Sequence, residues 1–485
     1  MVRFLFTLLV LSALSFTSFS QNGYQIKIKI DGFGGKEVYL GYFYGDKQYL
    51  KDTASINEEG YFVFEGEEEN EGGIYLIVMP PDNSFFQFLV PAGEQHFSLV
   101  TKVDNPTQFM KVSGSLENEL FYQYFQYLDA KRPLADSLRQ EISIAGEYEK
   151  KKAAVEEQLL DVNEKVAAYQ KTFIEKHPKS LTAALIKANN EFDMPEFEGK
   201  DEEVAEKRWR WLQQHYFDNI DLGNPWMLRT PFLFQKIDYY INKLTVQHPD
   251  SISAAIDKIL DLTRPSEETF KFYLIHFLNT YAKSKIVGYD AIYVHIVLKY
   301  YATGQAPWTE KEQLAKIIDN AKKLEPLLIG KIAPNIQMET RDHKKMWLHD
   351  FKAPFTVLFF WDPECGHCQR AMPSMLAFQE KFKDKGVEVF AVCTKLATRD
   401  SEGNWSMKEV DKCWSFIDDK KMGVWFNTVD PYHRSRYKSV YDIRSTPQIY
   451  ILDENKKILF NRIGADQLPD VMEHIIELKE KDSNP

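Results

Sequence analysis

Four cysteines in 485 residues are too few for a disulfide-built scaffold, and none precedes Cys365. Basic tracts are also missing. Lys and Arg total 60 against 71 Asp and Glu, a formal charge of −11, and no run of cations could follow a phosphate backbone, so nucleic acid is not an expected partner. Long apolar runs are confined to the start. "MVRFLFTLLVLSALSFTSFSQNG" carries one cation, Arg3, then an apolar run from Phe4 to Phe19, with Ser18 and Ser20 placed for cleavage before Gln21. The run is shorter than the roughly 20 residues that span a bilayer, so residues 1–20 are expected to be a cleaved signal peptide. No cysteine stands beside that cleavage point to take a lipid. The expected product is an exported, periplasmic or otherwise extracytoplasmic protein that does not span the membrane.

Three textures follow. Between residues 21 and 113, "YQIKIKI" alternates Ile26, Ile28 and Ile30 with polar residues, the period of a half-buried strand, and "EVYLGYF", "GYFVFEG", "GIYLIVM" and "FFQFLV" are strand-like runs separated by turn residues. An antiparallel β domain is expected there. Residues 114–330 turn to apolar spacings of three and four, expected to be all-α. A near-repeat lies within them: "HPKSLTAALIK" from His177 and "HPDSISAAIDK" from His248, with Ser180 and Ser251 placed to cap helices. A His-Pro turn into a cap accounts for both histidines without a metal. Trp209, Trp211 and Trp226 are expected as core and rim aromatics of this region rather than a carbohydrate platform.

Residues 331–485 alternate strands with helices. "FTVLFFW" (Phe355 to Trp361) reads as a strand buried on both faces, followed by "DPECGHCQRAMP", a helix stopped at Gly386, and a second buried strand, "VEVFAVC". Ser406 with Glu409 predicts a capping box for another helix, and "TPQIYILD" and "ILFNRI" a closing hairpin.

A Cys-x-x-Cys pair at the start of a helix is a redox device. Unpaired backbone N–H groups and the helix dipole favour a thiolate on the first cysteine, lowering its pKa from about 8.5 to between about 4 and 7. Cys365 is thereby the expected nucleophile and Cys368 the resolving thiol, with Gly366 and His367 between them and the His367 ring able to carry positive charge. Zinc would need four ligands, but Cys393 and Cys413 form no second close pair. A peroxidatic loop is ruled out by Pro363, only two residues before Cys365.

With Trp361 four residues before the first cysteine, Pro373 in the next helix and Thr446-Pro447 before a strand, residues 333–479 resemble the TlpA/ResA-like thiol–disulfide oxidoreductases. The preceding regions resemble the β-rich and helical domains of unknown function found before such modules. The resemblance implies a thioredoxin fold, Pro447 as a cis-proline facing the cysteines, protein thiols and disulfides as substrates, a membrane thiol carrier as reductant, and no cofactor. Reduction is the implied direction. Oxidation or isomerisation, and a binding or chaperone role dominated by residues 21–330, are the alternatives. Two positions depart from the pattern: Phe359 stands where thioredoxins keep a buried Asp, and Ala371 where the ResA-like group has a Glu. Glu364 is expected as an exposed, solvated side chain. The resemblance also makes "VEVFAVC" the neighbour of "FTVLFFW", which puts Cys393 near the Cys365 mouth. Cys393 is expected as a free buried thiol, with a bridge to Cys413 or a role as a third redox thiol as alternatives.

Overall fold

The computed structural model describes residues 23–144, 149–190 and 192–483. The expected signal peptide lies outside them. Two compact units are present: one runs to Leu244 and includes Asp261–Phe270, and the other holds Thr245–Leu260 and the chain from Lys271.

The first unit opens with eight strands: β1 (Tyr24–Asp31), β2 (Glu37–Tyr44), β3 (Lys47–Ser55), β4 (Phe62–Gly66), β5 (Gly73–Met79), β6 (Ser84–Val90), β7 (His96–Lys102) and β8 (Lys111–Ser113). They form two four-stranded sheets, β4-β1-β7-β8 and β3-β2-β5-β6. All ladders are antiparallel except β1 with β7. The alternation in β1 buries Ile26, Ile28 and Ile30, whereas β5 is buried along nearly its whole length as an interior strand. Strand β3 is a mostly exposed sheet edge without an apolar period, and its sequence carries no strand signal.

After α1 (Pro106–Phe109), the long helix α2 (Leu116–Ile144) begins where Ser115 Oγ accepts from Asn118 N at 3.2 Å. Asn118 is fully buried and acts as a surrogate strand residue: its Oδ1 accepts from Leu89 N at 2.8 Å and its Nδ2 donates to Leu89 O at 2.7 Å. This closes the edge of β6, which would otherwise carry two unpaired backbone groups. Helices α3 (Glu149–Lys176), α4 (Leu181–Asn189), α5 (Asp201–His215) and α6 (Pro231–Tyr239) follow. Ser180 caps α4, accepting from Ala183 N at 3.0 Å. Its repeat partner differs: α7 (Pro249–Thr263) already begins at Pro249, so Ser251 lies inside the helix and is not its cap. Trp209, Trp211 and Trp226 are half-buried, rim rather than core.

The second unit contains α9 (Asp290–Ile296), which follows α8 (Glu267–Ala282), then α10 (Lys311–Leu324) and a mixed seven-stranded sheet. Its strands are β9 (Gln337–Glu339), β10 (Lys345–Trp347), β11 (Phe355–Trp361), β12 (Val387–Cys393), β15 (Phe426–Val429), β16 (Gln448–Asp453) and β17 (Ile458–Asn461), in the order β10-β9-β15-β12-β11-β16-β17. The pair β13 (Thr398–Arg399) and β14 (Trp405–Ser406) forms a small separate hairpin. β11 runs parallel to β12 and antiparallel to β16. Its odd-numbered residues Val357, Phe359 and Trp361 enter one core with α11 (Gly366–Phe382), α12 (Lys408–Asp419) and α14 (Leu468–Ser483), while Leu358 and Phe360 enter the opposite one with Tyr437 of α13 (Tyr437–Val440). Two-sided burial is the reason "FTVLFFW" shows no alternation.

The Ser406–Glu409 capping box does not form. Ser406 lies in β14, α12 starts at Lys408 without a side-chain cap, and Glu409 turns to Lys412 and Lys395. A second correction concerns Cys393, which is neither a free thiol nor a third redox thiol: it is bonded to Cys413, with a Cα–Cα separation of 6.3 Å, stapling the end of β12 to α12.

Asn118→Ala should lower the stability of the first unit by roughly 2 kcal/mol, because Leu89 would keep a buried N–H and C=O without partners. Thermal unfolding followed by circular dichroism measures this, and an unchanged melting temperature would show that the edge does not need the amide.

Candidate active site

β11 ends at Trp361, whose side chain is fully buried 5.4 Å from the Phe416 ring. The chain then turns over Asp362, whose Oδ1 accepts from Glu364 N at 2.8 Å and whose carbonyl accepts from Cys365 N at 3.2 Å. Cys365 is the N-cap residue of α11 and uses no side-chain cap bond, which leaves its sulfur free to face the helix N-terminus. Across from it the Thr446–Pro447 peptide is cis. The Cys365 thiol donates to Thr446 O at 3.1 Å, joining two segments that lie 81 residues apart. Pro373 sits within α11 and is exposed, while Met372 and Met375 on either side of it enter the core.

The two thiols, both unbonded, occupy opposite environments. Partial burial pushes the Cys365 thiol up, but hydrogen bonding to the side chains of Thr446 and Cys368 and to the backbone N–H groups of Cys368 and His367 outweighs it and holds the pKa below the ordinary value. Cys368 is completely buried, and desolvation pushes its pKa up to about 12. The first thiol is partly open and eased towards its thiolate, and the second is closed off and held protonated.

The charges around the pair differ from the sequence expectation. His367 Nδ1 lies 2.9 Å from Arg370 Nη2, and because a guanidinium only donates, this nitrogen accepts. The Arg370 guanidinium thus places a permanent positive charge beside His367. A side chain at Gly366 would meet only Arg370, at 3.5 Å. Glu364 is not merely solvated. It bonds Lys395 and, at 2.8 Å, Lys412, and the two ammonium groups, Lys395 first, hold its pKa down to about 2. Lys395 also approaches Asp362 (3.5 Å) and Glu409 (3.8 Å), and Lys412 reaches Glu409 at 2.8 Å. A carboxylate held so far down is a weak proton acceptor, and both its oxygens are engaged by lysines. Phe359 is fully buried against Trp425, and Ala371 contributes no titratable group.

Cys393 pairs in register with Trp361, at the active-site edge of the sheet. Because Cys393 and Cys413 are bonded to each other, neither is available to complete a zinc site with Cys365 and Cys368. Asp362, Arg370, Lys395 and Lys412 are the site residues that motif reading did not single out. Arg370 could have been found by its three-residue spacing from His367 on a helix face, whereas the lysines lie 31 and 48 residues from Glu364.

Residues 329–460 match the model of the AhpC/TSA family. This segment is a thioredoxin-like domain of that family. Residues 24–121 and 145–324 of the chain match two domains of unknown function, DUF4369 and DUF5106. The thioredoxin-like domain has thiol–disulfide oxidoreductase homologues: "Thiol-disulfide oxidoreductase ResA" of Bacillus thuringiensis is 41% identical over 70 residues, 14% of this chain and 40% of that protein. The chain thus spans 40% of the length of that relative. The protein of the same name from Bacillus cereus is 27% identical over 146 residues, 29% of this chain and 72% of its own. A solved domain described as a possible thiol-disulfide isomerase, from Cytophaga hutchinsonii, is 36% identical and is covered over 98% of its length by 32% of this chain, with a TM-score of 0.28. No described helix is long and apolar enough to cross a membrane.

Iodoacetamide at neutral pH should alkylate Cys365 of the reduced protein and spare Cys368 until the chain is unfolded. The rate should rise with pH through a pKa below the ordinary thiol value of about 8.5, since a lowered pKa populates the thiolate earlier. Mass spectrometry of the cysteine peptides checks both points, and comparable labelling of the two thiols in the folded protein contradicts the assignment.

Proposed function

We propose that this protein is an exported thiol–disulfide oxidoreductase acting on protein substrates, with disulfide reduction as its physiological direction. The observation that carries the reading is the asymmetry of the pair: Cys365 at the helix N-cap against Thr446 O, and Cys368 wholly buried one turn behind it. The Cys365 thiolate attacks one sulfur of a substrate disulfide, forming a mixed disulfide and releasing the other substrate sulfur as a thiolate. Cys368 loses its proton and attacks Cys365, forming the Cys365–Cys368 disulfide and releasing the second substrate thiol. Two electrons pass from the dithiol to the substrate. A thiol carrier in the membrane, reducing the pair again, completes the cycle.

In this reading residues 331–485 are the catalytic domain, 21–113 and 114–330 are the accessory β-rich and helical domains, and Trp361, Pro373, Thr446 and Pro447 shape the site. Gly366 and His367 stand between the two thiols, with Arg370 Nη2 2.9 Å from His367 Nδ1.

Cys368→Ser should accumulate mixed disulfides with substrate proteins, visible as bands lost on adding dithiothreitol, and Cys365→Ser should not. Equal trapping by the two variants removes the assignment of roles. The reduction potential of the pair decides direction: a value nearer about −270 mV than about −120 mV fits a reductase, and one at the upper end marks an oxidant.

A further inference from the structure

The cis peptide at Pro447 borders a cavity of 570 Å3. This is within the roughly 300–1,000 Å3 of sites that enclose small ligands, room for a short stretch of polypeptide. One wall is Ser445, Pro447 and Gln448 with Arg462 and Ile463 beyond β17. The other comes from the helical elements of the same unit: Ile286 and Val287 in the turn after α8, and Asp290 at the start of α9.

That second wall is fastened in place. Asn461 Nδ2 donates to Asp290 Oδ2 at 2.9 Å and to Leu327 O at 3.1 Å, and Arg444 donates to Asn320 Oδ1 of α10. Asp442 is satisfied by Arg444 at 3.0 Å and Arg462 at 3.1 Å. Two features of the wall have no use within the fold. Asp290 Oδ1 is buried without a hydrogen-bond partner, and burial raises the Asp290 pKa although Asn461 and Arg462 pull it the other way. Ile286 is 60% and Val287 39% exposed, two adjacent apolar side chains at the rim of a polar cavity.

The Cys365 thiol contacts Thr446 O, so a substrate sulfur bonded to Cys365 is held beside the Thr446–Pro447 backbone. An extended chain advances about 3.3 Å per residue, which carries the neighbours of the substrate cysteine along that backbone and past the cavity. We propose that the cavity is a specificity subsite for the residues flanking the substrate cysteine. Its occupant is an extended segment of the disulfide-bearing polypeptide, with an apolar side chain packed on Ile286 and Val287 and an N–H donated to Asp290 Oδ1. The helical elements would thus select substrates without taking part in the chemistry. The inference rests on the thiol–disulfide exchange reading above.

The test uses the full chain in its reduced form under single turnover, with two probes. One is 5,5′-dithiobis(2-nitrobenzoate), too small to need the subsite. The other is a short synthetic peptide whose single cysteine is joined to thionitrobenzoate by a disulfide and flanked by leucine and valine. Ile286→Asp combined with Val287→Asp changes exposed side chains only, and Asp290→Asn keeps an oxygen for Asn461 while placing an amide N–H2 where a donor was to be received. Both variants should lower the rate constant for the peptide about tenfold, the usual worth of one apolar contact or one hydrogen bond, and leave the small reagent within about twofold. Replacing the flanking leucine and valine by glycine should slow the wild type to a similar degree and leave Ile286→Asp/Val287→Asp unaffected. An unchanged peptide rate in both variants, or an equal fall with both probes, overturns the subsite while the exchange reading stands. Wild-type protein inert towards both probes overturns the exchange reading and the subsite with it.

Discussion

The edge that carries the cysteines depends on one constraint: β11 is covered on both faces. With all seven of its residues buried, the strand cannot slip in register without moving apolar side chains between two separate cores. Its end at Trp361 is therefore fixed in space, and so is the first residue of α11 five positions later. Everything that distinguishes Cys365 from Cys368 follows from where that helix begins.

From that fixed point the polar contacts spread across the sheet edge. Asp362 shapes the turn, Glu364 ties it to Lys395 just beyond β12 and to Lys412 on α12, and the Cys393–Cys413 bond holds the same helix to the same strand from inside. Individually, exposed ion pairs contribute about 0–1 kcal/mol. Here Lys395 is only 15% exposed and serves three carboxylates, so the group acts as a positioning network for the motif loop more than as a source of stability.

Much of this was legible in the sequence where local pattern and burial coincide. The alternation of Ile26, Ile28 and Ile30, the unbroken apolar runs of β11 and β12, and the αL stop at Gly386 (φ 76°) all describe what the backbone does. β3 was not legible because an exposed edge strand needs no apolar period. In the other sheet β7 alternates Phe97 and Leu99 but places Thr101 at the next inward position, which blurs the pattern. At the site, the cysteines, Trp361 and the Thr-Pro dipeptide stood out because their chemistry is tied to fixed local spacings. The partners of Glu364 and the mate of Cys393 did not, since they are set by how β12 and α12 meet. In the Ser406–Glu409 box the glutamate went instead to Lys412, one turn on in the same helix, and to Lys395, which the fold brings in.

The stapling disulfide has a consequence for how the molecule meets reductants. A thiolate must reach a sulfur along its bond axis to cleave it, and Cys393 and Cys413 expose none of their surface, whereas Cys365 is partly open. A reductant able to recharge the Cys365–Cys368 couple can share a compartment with the Cys393–Cys413 bond for as long as α12 stays docked. The protection is one of access, so its lifetime is that of local opening rather than a difference between two potentials. Under the proposed reductive direction, the chain needs an oxidant once, while it folds, and a reductant at every turnover afterwards, and the packing of a single helix keeps those two demands apart.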